Sequence, residues 1–430
     1  MIKLFKNFLG YGYGQIVTII IQFLLVPFFL KYWGVEQYSD WLLLTGIPLM
    51  LAIMDFGVAG AMGNFALINV ASKKINQAIV AIQTGLLCTS VIAFFIIIIS
   101  IILGYLFNWS DILNLKIINN HESSIIFIFI SIYVGICLFN SSTDALFKVI
   151  DKVAFGAFIL SNRRMVDVFV TIFVLICGYG PVTLAILMVL GQVLYQIYMF
   201  YYISSNSNYN YIGIKKFSFK LLRKLIIPSL SSMGFPLSQV LVNQVSIQIV
   251  NFVSNNSQVV VAFSMARTLM RLIFQFTMVM NLAIKPIISN YIGNKDSLVG
   301  NKFVKKISFL SIIFVLFIYL ILGCFGPLFL DLWSHGKVKI SSSELFLIGI
   351  HAVANATWFV YAATTIANNT HTKLSIYYSI GAVLGCLTGY YLSGIYGAIF
   401  TASYVLLIPE LFAIFYYIQF KSILRYFKRI

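Results

Sequence analysis

The chain has 430 residues, 60% of them hydrophobic and only 10% charged, with a formal net charge of +17 and a mean hydropathy of +0.96. A soluble domain averages roughly 25% charged residues, so this composition excludes a soluble enzyme. The basic residues sit in short loops between apolar runs and form no nucleic-acid footprint, which leaves an integral membrane protein with most of its length in the bilayer.

The N-terminus reads MIKLFKNFLGYGYGQ and continues apolar to Leu30. That run is too long for a signal peptide and lacks a small-residue cleavage site, so it reads as an uncleaved first span. Gly10, Gly12 and Gly14 have no strand–turn–helix context for a nucleotide fingerprint; close helix packing suits them better. Further spans are predicted at about 41–62, 79–107, 124–146, 158–177 and 182–203. The stretch Asn140 to Arg164 also has the character of a partly amphipathic surface helix. The most polar stretch of the chain, Ser204 to Lys224, then interrupts the pattern. Spans resume at about 226–252, 258–284, 306–330, 344–367, 374–393 and 395–420. The expectation is an all-α membrane protein of twelve transmembrane helices, with bundles at 1–203 and 225–430 joined by a cytoplasmic connector, 204–224.

The loops set the orientation. With the N-terminus inside, 23 of the 29 Lys and Arg fall on the cytoplasmic side, against Lys31, Lys116, Lys337 and Lys339 outside. This asymmetry is a positive-inside signal. It predicts a multi-pass inner-membrane protein with both termini cytoplasmic. Two halves of equal orientation are related by an axis along the membrane normal, a transporter plan with the substrate between them.

The other two cations, Arg267 and Arg271, lie inside the span 258–284. A cation at the centre of a membrane helix costs about 2.5–3.5 kcal/mol even on a lenient scale. A spacing of four places both on one helical face. Facing a watery cleft, they would attract an anion; alternatively they snorkel to one surface or are satisfied by carbonyls.

Few carboxylates accompany them. Asp55 suits an ion pair or a cap at a helix break near Gly57 and Gly60. Asp167, four residues after Arg163, suits a local helical ion pair. Glu410 follows Pro409 in the last span, where proline frees a carbonyl, and such an acid can bind a proton or cation. Asp55 and Glu410 are the candidates for ion coupling.

Two polar stripes stand out. Gln244, Gln248 and Asn251 share one face of the seventh span, with Gln239 and Asn243 nearby. His351, Asn355, Trp358 and Thr365 align in the tenth. These groups suit a hydroxyl-rich ligand such as a sugar, or hydrogen bonds between helices. The five cysteines and four histidines show no metal or redox spacing, and no cofactor is expected. No nucleophile–base pair or phosphate-cradling loop supports an enzyme.

Three motifs carry a family resemblance: WGVEQYSDWLLL (Trp33 to Leu44), the following MDFGVAGA, and KPIISNYIGNKD (Lys285 to Asp296). With the length and the basic loops, they resemble the multidrug/oligosaccharidyl-lipid/polysaccharide (MOP) exporter superfamily, in particular O-antigen flippases of the Wzx type. The resemblance implies a V-shaped pair of six-helix bundles, as in the MATE branch. It also implies alternating-access transport of an undecaprenyl-pyrophosphate-linked oligosaccharide to the periplasmic face of the inner membrane, with the polysaccharide polymerase and chain-length machinery as partners. Arg267 and Arg271 map by span onto a cationic lumen that would hold the pyrophosphate. Gln244, Gln248, Asn251, His351, Asn355 and Trp358 would then serve the sugars. Cation-coupled exporters of small molecules, the first alternative, often carry carboxylates in the first and seventh spans, where this chain has none. A membrane polymerase or glycosyltransferase, the second, usually carries a large external loop; the longest here, 108–123 and 331–343, are short.

Overall fold

The computed structural model describes residues 2–51, 57–71, 73–150, 152–207, 209–293, 297–367 and 371–420. Most of these residues are helical, with no strand among them, and the chain divides into two compact units, Met1–Met233 and Gly234–Ile430. Among the described residues, seven helices are long and apolar enough to cross a membrane.

The first unit contains α1 (Ile2–Tyr32), α2 (Gly34–Leu51), α3 (Val58–Ala71), α4 (Ile75–Leu106), α5 (Trp109–Ile112), α6 (Asn120–Val149), α7 (Val153–Ile176), α8 (Pro181–Asn206) and the start of α9 (Phe219–Ser254). Helix α6 is its centre and packs against α2, α3, α4 and α8. The predicted single span 41–62 is two helices. Pro48 weakens the hydrogen-bond ladder of α2, and Gly57 takes a φ of +66° before α3 begins, a conformation that glycine adopts without a Cβ penalty. Asp55 lies outside the described residues. The stretch 140–164 belongs to two helices, the end of α6 and the start of α7.

The loop 108–123 is not formless. Trp109 of α5 stacks on Phe127 at 4.2 Å. The Asp40 carboxylate, from α2, accepts backbone N–H bonds from Lys116, Ile117 and Ile118 at 2.7–3.0 Å. A buried acid is thus satisfied by backbone donors. At the other end of the unit, the polar connector is docked against α4. Gln83 donates to the Asn210 carbonyl and accepts from the Lys216 N–H. Thr84 accepts from the Ser218 N–H, and Tyr211 is buried beside Ala78 and Ile82.

The second unit holds the rest of α9, then α10 (Ser257–Gly293), α11 (Ser297–Trp333), α12 (Ser342–Ala367), α13 (Thr372–Leu392) and α14 (Ala398–Phe420). Helix α12 packs against α10, α11 and α14. Gly381, Gly385 and Gly389 form a stripe along α13, and the missing side chains let α14 approach. A Cβ on Gly381 would lie 2.8 Å from the Cβ of Phe412. On Gly385 it would lie 3.1 Å from the Ile408 Cβ and 3.3 Å from the Val405 carbonyl oxygen. The opposite face of α13, with Val383, Leu387 and Tyr391, is exposed and apolar, as a lipid-facing surface must be.

Gly381→Ala is expected to lower stability by about 1–3 kcal/mol, the usual cost of overpacking. Gly191→Ala in α8, where a Cβ meets open space, is expected to be neutral or stabilising by about 0.5–1 kcal/mol. Thermal unfolding of the purified variants in detergent checks both.

Candidate functional site

The two arginines differ in their surroundings. Arg267 is half-buried. Its Nη1 donates to the Asn243 carbonyl and to the Ser246 hydroxyl, both on α9. Its guanidinium also lies over the ring of Phe263, one turn earlier, at 5.6 Å. A desolvated guanidinium needs such partners, and Arg267 has them within its own unit. Arg271, one turn further along the same face, is exposed. The imidazole of His351 on α12 is buried, lies 5.1 Å from the Phe274 ring and feels the charge of both arginines. Its Nδ1 hydrogen-bonds the Ile348 carbonyl. This region therefore presents one exposed cation beside an anchored one, with an imidazole behind them.

Glu410 on α14 is fully enclosed. Its Oε2 accepts from Asn355 Nδ2 at 3.0 Å and from Trp358 Nε1 at 2.6 Å. Its Oε1 accepts from the Tyr378 hydroxyl at 2.9 Å. The Thr277 hydroxyl of α10 donates to Asn355 Oδ1 at 3.4 Å, so Asn355 bridges α10 and α14. The rings of Trp358, Tyr378 and Phe235 pack around the acid with centroids 5.4–5.9 Å apart. Three donors from two helices thus converge on one carboxylate, an arrangement that can bind or release a proton with little movement of heavy atoms.

The expected residues divide accordingly. Asn355 and Trp358, read as sugar contacts, are committed to Glu410. His351 belongs with the arginines. Gln244 and Gln248 lie half-buried along α9, with Asn251 buried beyond them, and Thr365 bonds the Ala362 carbonyl. Tyr378 was missed, because an aromatic in a span carries no distinguishing signal. A second polar cluster, in the first unit, was also not foreseen. Gln192 stands between Arg163 and Asp167, accepting from Arg163 Nη1 at 2.9 Å and donating to the carboxylate at 3.3 Å. Tyr133 also donates to Asp167, and Asn140 donates to Gln192. Among the described residues, no group of three or more His, Cys, Asp or Glu could hold a metal ion.

No protein-family model matches the chain, and no curated protein matches it in sequence. Solved structures do match in fold. An inward-facing multidrug resistance MATE family transporter of the MOP superfamily superposes with a TM-score of 0.80 at 13% identity, covering 96% of each chain. The lipid II flippase MurJ in an inward closed conformation gives 0.68 at 15% identity, over 95% of this chain and 87% of that one. A MOP superfamily transporter from Pyrococcus furiosus, described as having a binding pocket of reversed polarity, gives 0.61 at 13%, over 99% and 96%. With its all-helical, two-unit architecture and its membrane-length apolar helices, the chain has the fold of the MOP superfamily transporters.

Proposed function

We propose that this protein is a flippase for a lipid-linked oligosaccharide, carrying an undecaprenyl-pyrophosphate-linked repeat unit of a surface polysaccharide such as O-antigen across the bacterial inner membrane. The observation that carries this reading is the arginine pair on a helix long and apolar enough to span a bilayer, one guanidinium anchored and the next exposed. The fold likeness to a lipid II flippase supports the substrate class. The basic loops support cytoplasmic termini and loading from the cytoplasmic leaflet. A polysaccharide polymerase and its chain-length partner would receive the product.

In this reading Arg271 meets the pyrophosphate. A guanidinium offers forked donors to phosphate oxygens, which an ammonium does not. Arg267 holds the local field and the α9–α10 contact. An inside-negative potential favours outward movement of an anion by about 2.3 kcal/mol per charge per 100 mV, but an exposed dianion in hydrocarbon costs far more, so the fixed cations act on the barrier. Glu410 supplies the coupling: with a proton on or off, it changes the hydrogen bonds that hold α12 to α14. The α9 amides and the buried imidazole of His351 serve the sugar and the anion.

Arg271→Ala is expected to weaken headgroup binding by roughly 10- to 150-fold, the equivalent of one charge-assisted hydrogen-bonded pair. Surface polysaccharide should be lost from a deletion strain complemented with this variant at normal membrane level. Arg271→Lys should restore part of it. Normal polysaccharide from the alanine variant at normal expression would overturn the reading. A changed drug susceptibility of the deletion strain, with polysaccharide intact, would instead favour a small-molecule exporter.

Glu410→Gln retains shape, and its amide can still accept from Asn355 and Trp358. It should fold normally yet lose transport, and full activity would remove Glu410 from the coupling step. Tyr378→Phe deletes one donor to the acid and should lower stability by about 1.5–3 kcal/mol, read as a drop in thermal midpoint.

A further inference from the structure

At one end of the first unit, three stretches of chain come together: the turn before α4, the turn between α6 and α7, and the connector. Lys216 Nζ reaches Asn76 Oδ1 at 3.3 Å, Lys152 Nζ reaches Asn206 Oδ1 at 2.8 Å, and Gln83 holds the connector backbone. Segments 72–76, 148–152 and 207–224 contain nine Lys and Arg and a single acid, Asp151. Lys73, Lys74, Lys215, Lys220, Arg223 and Lys224 are all exposed.

Large apolar side chains are interleaved with these charges. Tyr209, Ile214, Phe217 and Phe219 are 49%, 59%, 39% and 68% exposed. The connector does not hide them, because its inward face is already occupied: Tyr211 fills the core, and Gln83 and Thr84 hold the backbone. The start of α9 adds a further mismatch. Phe219, Lys220, Arg223 and Lys224 lie in its first two turns, with no acid in the first, although the positive end of a helix dipole disfavours cations. An external anion relieves that mismatch. Cations alternating with exposed aromatic and aliphatic side chains match the boundary of a bilayer, where phosphates lie beside acyl chains.

We propose that the connector and the start of α9 form a binding surface for anionic phospholipid headgroups. Lys74, Lys215 and Lys220 contact the headgroup phosphates, and Ile214, Phe217 and Phe219 enter the acyl boundary. This surface lies in the first unit and is independent of the transported substrate.

The test uses the full-length protein with its five native cysteines replaced and Phe217→Cys labelled with bimane. The labelled protein is placed in nanodiscs of phosphatidylcholine with or without phosphatidylglycerol. Phosphatidylglycerol should shift bimane emission to the blue and protect it from a water-soluble quencher. The triple variant Lys74→Gln/Lys215→Gln/Lys220→Gln should lose that dependence, each lysine accounting for about a fivefold change in apparent lipid affinity. Lys337→Gln/Lys339→Gln, in a loop of the other unit, should retain it. Identical emission and quenching in the two lipid compositions would overturn the proposal. So would retention of the effect by the triple variant, or equal protection by inorganic phosphate added to phosphatidylcholine nanodiscs, which would indicate a soluble anion instead.

Discussion

A polar group inside a bilayer has no water to fall back on, so it must find its partner within the protein. Much of the interior of both units follows from that constraint. Glu410 is held by three donors, Arg267 by a carbonyl, a hydroxyl and a ring, and Asp40 by consecutive backbone amides. Serines and threonines mostly bond back to the preceding turn, as Thr84 does to Val80 and Ser131 to Phe127, so they sit in apolar helices at little cost. Arg271 departs from the pattern by its exposure.

Helix α12 turns this constraint into an arrangement. His351 sits toward the arginines of α10, while Asn355 and Trp358, one and two turns later, bind the carboxylate of α14. One helix therefore carries both the imidazole near the arginines and two of the donors to the buried acid. Thr277, reaching Asn355 from α10, ties the two together on the other side. A change at Glu410 has a short packed route to the helix that bears the cations, through elements with defined hydrogen bonds rather than through a loop.

The apolar runs were legible in the sequence because hydrophobicity over a bilayer thickness is a strong signal, and the predicted runs other than 41–62 fall largely on helix. The break inside 41–62 was not, although Asp55, Gly57 and Gly60 had marked its neighbourhood. Hydropathy averages across a single positive-φ glycine. Helical periodicity correctly put His351, Asn355 and Trp358 on one side of one helix. It could not say which helix that side would meet, and two of the three donate to Glu410 of α14. Gln192 was out of reach in the same way: the spacing of four between Arg163 and Asp167 was visible, but the amide that stands between them lies 25 residues further on than Asp167.

The connector shows a different economy. Gln83 and Thr84 hold it through the main-chain groups of Asn210, Lys216 and Ser218, not through its side chains. Much of its path is therefore set from α4, with Tyr211 in the core and the Lys216 side chain on Asn76 as the connector's own contribution. Substitution of Ile214, Lys215 or Phe217, in charge or bulk, therefore leaves the main-chain bonds that fix the trace of the loop in place.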